Sequence, residues 1–303
     1  MLRILSVVAV LGLVAGPAWG QADKAYTIKI KKLAQGETER VEKADKSTEA
    51  IKIEDTNGNL LKEQTEKKGD VSVYRQTNLE RKGDQRPTRV KRKYDKATVT
   101  KDGETTSLPY EGKTVLIEKK GDRYLFRIEG DEELTGEAAK ELNEEFNKKG
   151  ELDDKALEKL LLPGKAVKVG EEWKIDVATV SKAFQEEGSL EVVPEKTRGT
   201  GKLLRVYTKG GRQFGVIRLH LDLALKSVTN DGNKVILQAD KSKMDMEFTV
   251  DTCIDGSSAT ASGTWRVSAN IEAVLPSPDQ PMARLHVTIR ADGKGKNVEQ
   301  EKK

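Results

Sequence analysis

Between Ala259 and Leu275 every second residue is small or apolar, and nearly every residue between them is polar. Ala259, Ala261, Gly263, Trp265, Val267, Ala269, Ile271, Ala273 and Leu275 share one parity; Ser258, Thr260, Ser262, Thr264, Arg266, Ser268 and Asn270 share the other. A period of two is the pattern of a β-strand with one dry and one wet face. A helix, at 3.6 residues per turn, would scatter the same apolar positions around its whole circumference. At about 3.4 Å per residue such a strand would exceed ~50 Å if straight. The sheet that contains it therefore has to curl or bend.

The neighbouring sequence repeats the theme. Ile217, Leu219, Leu221, Leu223 and Leu225 alternate with polar residues, an Asp231-Gly232 turn follows, and Val235, Leu237 and Ala239 return. The apolar parity then changes at Met244, Met246, Phe248 and Val250, which calls for a corner between Asp240 and Lys243. Past the loop from Pro276 to Pro281, Ala283, Leu285, Val287, Ile289 and Ala291 make a final strand, and the polar tail 293–303 reads as disordered. The first half is more charged. Tyr26, Ile28 and Ile30 form a strand, Gly36 to Ser47 reads as a long turn, and Ile51 and Ile53 lead to an Asn57-Gly58 hairpin. Val71 and Val73 continue the pattern, and Val115, Ile117, Tyr124, Phe126 and Ile128 form a further hairpin. The tripeptides Lys68-Gly69-Asp70, Lys82-Gly83-Asp84 and Lys120-Gly121-Asp122, with Lys101-Asp102-Gly103, read as turn chemistry rather than as a recognition motif.

Helical spacing occurs in one region. Ala138, Leu142 and Phe146 fall four apart before Gly150; Asp153 caps a segment with Leu157, Leu160 and Leu161 that ends at Pro163-Gly164; Asp176 caps a third with Val177, Val180 and Phe184, ending at Gly188. The expected fold is α+β, mainly antiparallel β: a large curved, half-barrel-like sheet with two or three short covering helices. Residues 21–292 form one β-rich domain with a helical insert at about 135–188. The alternatives are one continuous sheet or two β halves, 24–129 and 165–292.

Residues 1–20 have the form of a cleaved signal peptide: Arg3, an apolar run from Ile4 to Ala15, a break at Pro17, and the small residues around Trp19. The run is too short to span a bilayer, and no cysteine follows it to accept a lipid. The expectation is a secreted or periplasmic protein, not transmembrane once processed. Cys253 is the single cysteine, so no intramolecular disulfide forms, and it reads as a packed small residue. Its parity is shared with Asp245, Glu247, Thr249 and Asp251, which calls for a strand end or a bulge.

The chemistry of the chain is defined mostly by exclusion. Basic and acidic residues nearly balance, 54 against 50, and the basic crowd from Arg81 to Lys96 has Tyr94 as its one aromatic. That fits a solvated ribbon or contact with an anionic envelope surface better than nucleic-acid stacking. His220 and His286 sit on wet parities, so no metal site is expected. The acids Glu133, Glu137, Glu141, Glu144 and Glu145 lack calcium-loop spacing and read as a solvated face. No nucleophile elbow, phosphate loop, dinucleotide fingerprint or zinc-protease helix occurs, so no catalytic residue and no cofactor is assigned. The functional expectation is an exported, non-enzymatic protein that binds a lipid or other apolar ligand in a sheet groove. Trp173, Ala259, Ala261, Gly263 and Trp265 are the candidate lining residues. The alternative is a cell-envelope structural or protein-interaction domain with no cavity.

The segment Leu162-Pro163-x-Lys165-x-Val167-x-Val169-Gly170-x-x-Trp173 resembles one found in secreted, β-rich bacterial proteins of unassigned activity. The layout of an exported curved sheet with few covering helices also resembles the half-barrel lipoprotein carriers. That second resemblance implies lipid or lipoprotein held in a concave apolar groove.

Overall fold

The computed structural model describes residues 24–83, 85–130, 133–147, 161–186, 190–230, 233–275 and 283–300. In the first half the strands are β1 (Ala25–Tyr26), β2 (Thr38–Glu54), β3 (Leu60–Glu80), β4 (Arg89–Lys101), β5 (Glu104–Ser107), β6 (Thr114–Lys120), β7 (Arg123–Ile128) and β8 (Glu133–Leu134). A 3-10 turn, Gly136–Ala139, leads into helix α1 (Lys140–Phe146). The short strands β9 (Val167–Lys168) and β10 (Glu172–Lys174) precede helix α2 (Val177–Glu186). Then come β11 (Leu190–Val192), β12 (Arg198–Lys209), β13 (Arg212–Asn230), β14 (Asn233–Ile236), β15 (Lys243–Cys253), β16 (Ala261–Leu275) and β17 (Ala283–Gln300).

Fifteen strands form one antiparallel sheet in the order β10-β12-β13-β15-β16-β17-β2-β3-β4-β6-β7-β8, with β11 and β14 against β13 and β5 against β4. β1 and β9 make a separate two-stranded ribbon. The two halves of the sequence are joined by β17 against β2, paired without interruption from Arg284↔Glu54 to Gln300↔Thr38. The fold is thus α+β, a large open sheet whose terminal strands β10 and β8 do not meet. Register shifts at Ile53/Glu54, Val73/Tyr74, Asn78/Glu80 and Leu203/Arg205 add the local twist that bulges bring.

The alternation locates the strands, and the structure corrects several of its readings. Residues 293–300, expected as tail, extend β17; Gly293 and Gly295 stand on its dry face where larger residues would advertise a strand. Residues from Thr38 onward, expected as turn, are in β2, because Val41, Ala44 and the charged residues around them are held by β17 and β3 on either side. Lys68-Gly69-Asp70 lies inside β3; a Cβ at Gly69 would sit 3.2 Å from the Asp45 carbonyl oxygen, so this glycine serves close strand approach. The other turn glycines behave as expected, with Gly58 at φ 88°, Gly121 at φ 62° and Gly103 at φ 94°. The first strand shortens to β1, followed by a lone bridge at Lys29. The insert at 135–188 includes β9 and β10 as well as helix. The 3-10 turn buries Ala139, and α1 buries Leu142 and Phe146, rather than Ala138, because the 3-10 turn has three residues per turn. The Asp176 carboxylate accepts from the Ala178 amide at 3.1 Å, as its capping role requires. The residues Asp84, Gly150, Asp153, Leu157, Leu160, Gly188, Asp231 and Gly232, the segment 1–20 and the loop 276–281 lie outside the described residues.

Both hydrophobic cores lie on the same face of the sheet. Core one holds Leu203, Ile217, Leu219, Leu221, Leu223, Met246, Phe248, Trp265 and Val267, covered by Val180 of α2, Tyr26 and Val167 of the small ribbon, and Ile254. Core two holds Val41, Tyr74, Tyr94, Val115, Ile117 and Phe126 under Leu142 and Phe146 of α1 and Tyr110. Val41 shares the parity of Ile51 and Ile53 in β2, and Ile53 pairs with Leu285, which packs on core one. The opposite face carries Arg266, Ser268, Asn270, Arg290, Thr288, Lys46 and Thr48, so the sheet is dry on one side and wet on the other.

Candidate functional site

Burial on the dry face falls away strand by strand. In one cross-strand row, Leu223, Met244 and Ala269 are buried, Ile289 is half-buried, and the next two residues are Glu49 and Glu66. The next row runs Ile271, Val287, Ile51 and Gln64; the one beyond it runs Ala273, Leu285, Ile53 and Lys62. Where core one ends, Leu285, Val287, Ile289 and Ala291 of β17 and Ile51 and Ile53 of β2 form a strip that no described element fully covers. From Leu285 to Ala291 the strip is about 20 Å long. It is two strands wide at Leu285–Ile53 and Val287–Ile51, and one strand wide beyond, where Glu49 and Ser47 stand opposite Ile289 and Ala291. Its long border on β3 is polar: Lys62, Gln64, Glu66 and Lys68.

Past Ala291 and Ser47, toward core two, the dry face becomes charged. Arg92 donates to both oxygens of Glu145 at 2.8 Å each, to Gln76 Oε1 at 2.7 Å and to the Tyr94 hydroxyl at 3.3 Å. Its guanidinium lies 4.4 Å from the centre of the Tyr74 ring and 4.7 Å from that of Phe146. Lys43 stands 3.5 Å from Glu145. Desolvation pushes the Glu145 carboxyl up, but the charges of Arg92 and Lys43 outweigh it and hold the group well below the usual range. Nearby Glu39 accepts from Asn297 Nδ2 at 3.0 Å, and desolvation raises its carboxyl above the ordinary value. The basic stretch from Arg81 to Lys96 is therefore not a uniform solvated ribbon: Arg92 is buried and clamps α1 to the sheet, and Arg86 donates to the Glu145 carbonyl at 2.7 Å.

The sequence-derived candidates fall into two places. Trp173, Gly201, Leu219, Phe248, Trp265, Gly293 and Asp45 occupy one row across seven strands. Each tryptophan lies over a glycine. A Cβ at Gly201 would stand 2.1 Å from the Trp173 ring, and one at Gly293 would stand 2.4 Å from Trp265 Nε1. Trp173 Nε1 donates to the Leu161 carbonyl and Trp265 Nε1 to Asp45 Oδ1, each at 3.2 Å, so both indoles are satisfied as core residues. The two rings are four strand spacings apart, roughly 19 Å. Trp265 borders the strip through Gly293 and Ala291, whereas Trp173 sits at the far side of core one. Ala259 precedes β16 and is tied down by Glu299 to its amide and Asn297 to its carbonyl, at 2.9 and 2.6 Å. Ala261 and Gly263 pair with Asn297 and Gly295, toward the charged end rather than along the strip. The strip residues themselves were visible in the sequence as strands. Their half-exposure was not, because it depends on which strands β17 and β2 lie between.

His220 and Asp245 pair at 2.5 Å on the wet face, and His286 lies within 3.7 Å of Glu54 and Glu272. Among the described residues no group of three or more His, Cys, Asp or Glu side chains could hold a metal ion. Cys253 is buried at the last position of β15, the strand end its parity required, with Sγ 3.1 Å from Asp255 Oδ1. No helix among the described residues is long and apolar enough to cross a membrane.

No protein-family model and no curated protein sequence matches the chain. Among solved structures, one described as lipid–protein interactions in lipovitellin aligns at 7% identity over 89% of this chain and 26% of that one, with a TM-score of 0.35. This chain thus spans about a quarter of the lipovitellin chain it matches. An outer-membrane channel from Pseudomonas putida F1 aligns at 11% identity over 86% of this chain and 97% of that chain, with a TM-score of 0.15. The TodX deltaS2S3 mutant monoaromatic hydrocarbon channel aligns at 8% identity over 88% and 91%, with a TM-score of 0.16. The fold assignment rests on the strand register and not on these similarities.

Proposed function

We propose that this chain is an exported, non-catalytic binding protein that holds an apolar ligand, the acyl chain of a lipid, along the strip formed by Ile51, Ile53, Leu285, Val287, Ile289 and Ala291. One observation carries this reading: the strip is an apolar band about 20 Å long that continues a packed core without a described cover of its own. Completing the burial of a half-buried Leu, Ile or Val contributes about 1 kcal/mol. The five larger residues of the strip therefore offer on the order of 5 kcal/mol to a chain laid across them, before the entropy of association is counted. A lipid fits better than a compact apolar solute because the band is long, narrow and bordered by the polar side chains of β3. A head group would sit among Lys62, Gln64, Glu66 and Lys68 while the chain occupies the band. Export accords with the signal-like segment at residues 1–20 and with the single cysteine.

The test is mass spectrometry of an organic extract from freshly purified protein, paired with titration of a dansyl-labelled fatty acid. The expected result is co-purifying lipid and saturable binding that Ile289→Asp weakens at least tenfold. An extract free of lipid, together with no saturable binding, rejects the proposal.

A further inference from the structure

The large hydrophobic side chains most exposed among the described residues are Leu60, Leu61, Ile236 and Val274, at 53, 52, 62 and 41%. Scattered singly they would mean nothing. They are not scattered. Val274 pairs with Arg284, Arg284 with Glu54, and Glu54 with Leu60. The bridge of Leu237 to Ala273 sets Ile236 beside Val274. Ile236, Val274, Arg284, Glu54 and Leu60 therefore form one row on the wet face at one end of the sheet, roughly 19 Å from first to last. Leu61, the extra residue of the bulge opposite Ile53 and Glu54, adjoins that row. On the other face of the same end stand Ile53 and Leu285, the last pair of the strip.

We infer that this end of the sheet is a docking rim for the surface of a lipid bilayer, seating the Ile53–Leu285 end of the strip against the membrane. The inference deepens the proposed lipid-binding function and rests on it for its purpose, though not for its geometry. Two features select a bilayer over a second copy of the chain. Four half-exposed aliphatic side chains offer a few hundred Å² together, well short of the ~800 Å² per partner of a stable protein interface. Most of the surrounding charges are paired internally, Lys52 with Glu54, Lys241 with Glu272 and Lys234 with Glu191, while exposed Arg284 stands opposite Glu54 within the row. That leaves little net field to steer a charged partner, while two shallow apolar pairs, Ile236 with Val274 and Leu60 with Leu61, on either side of Arg284 and Glu54 suit the boundary between head groups and acyl chains. Such a contact is weak and reversible, below the ~10⁴ M⁻¹ of a single myristoyl chain.

The experiment is co-sedimentation of the exported chain with sucrose-loaded phosphatidylcholine vesicles, with dansyl fatty-acid titration and light-scattering mass measured in parallel. The expected result is partition into the vesicle pellet that falls at least fivefold in Leu60→Ser/Leu61→Ser and, separately, in Ile236→Ser/Val274→Ser. Both variants should keep the wild-type circular dichroism and fatty-acid affinity. Ile289→Asp should do the reverse, losing fatty acid and keeping vesicles, so the failure of one proposal is distinguishable from that of the other. A wild-type chain that stays in the supernatant, or a dimer that Leu60→Ser/Leu61→Ser makes monomeric, overturns the inference.

Discussion

Replacing Glu145 by alanine removes the carboxylate that pairs with both Arg92 and Lys43 at core two. The Arg92 side chain is 5% exposed and makes both of its short carboxylate contacts to Glu145, while Lys43 stands 3.5 Å from the same group. Leaving a buried charge without its partner costs about 3–5 kcal/mol. Glu145 itself is 31% exposed, so water reaching the vacated site relieves part of that, and the expected loss is about 2–3 kcal/mol. The assay is urea unfolding followed by circular dichroism, with Glu145→Gln as the companion variant. Glutamine retains one hydrogen bond to the guanidinium but no charge, and should fall between wild type and alanine. With an m-value of about 2 kcal/mol per M, the alanine variant's midpoint should drop by about 1 M or more. The same ion cluster sets a pH dependence. The folded-state pKa of Glu145 lies below its unfolded value, so its contribution is fully present above about pH 4.3 and is lost as pH falls below that. An alanine variant within 0.5 kcal/mol of wild type at pH 7 would show that the clamp adds nothing, and the account of how α1 is held would be wrong.

Gly293→Ala places a Cβ 2.4 Å from Trp265 Nε1 and 2.1 Å from Asp45 Oδ1; a loss of about 1–3 kcal/mol and a shifted tryptophan emission are expected in thermal unfolding and fluorescence. Unchanged emission and stability would refute the stacked arrangement. Asp176→Ala removes the cap of α2 and should lower stability by about 1 kcal/mol, read from the same urea curves, with Asp176→Asn recovering most of it. On the proposed export, N-terminal sequencing of the mature protein should find Gln21 as the first residue; a chain still starting at Met1 would contradict cleavage after Gly20.

The strands were legible wherever the dry-face residue was large. Ile217 to Leu225 and Gly263 to Leu275 could be placed from parity alone, because each dry position carries its own signal. The first part of β2 and the end of β17 are not legible, since their dry faces hold Glu39, Lys43, Asp45, Gly293 and Gly295, residues that read as loop until the neighbouring strand is known. The pairing of β17 with β2 joins the two ends of the chain, and nothing local in either segment names the other. For the same reason Arg92 was read with its basic neighbours. What removes it from them is Glu145, contributed by a helix more than fifty positions away. Trp265 was found by its size. The glycine beneath it, Gly293, lies in a polar stretch that reads as tail, so the pair cannot be recognised from one strand.

The central claim is that an acyl chain lies along β17 and β2 where core one ends. A fatty acid carrying a photoreactive diazirine near its methyl end tests this most directly, by irradiation, digestion and peptide mapping. The account predicts labelled residues within 49–53 and 285–291, suppressed by excess unlabelled fatty acid and by Ile289→Asp. Labelling confined to other strands, or spread over the surface and unaffected by competitor, would contradict it.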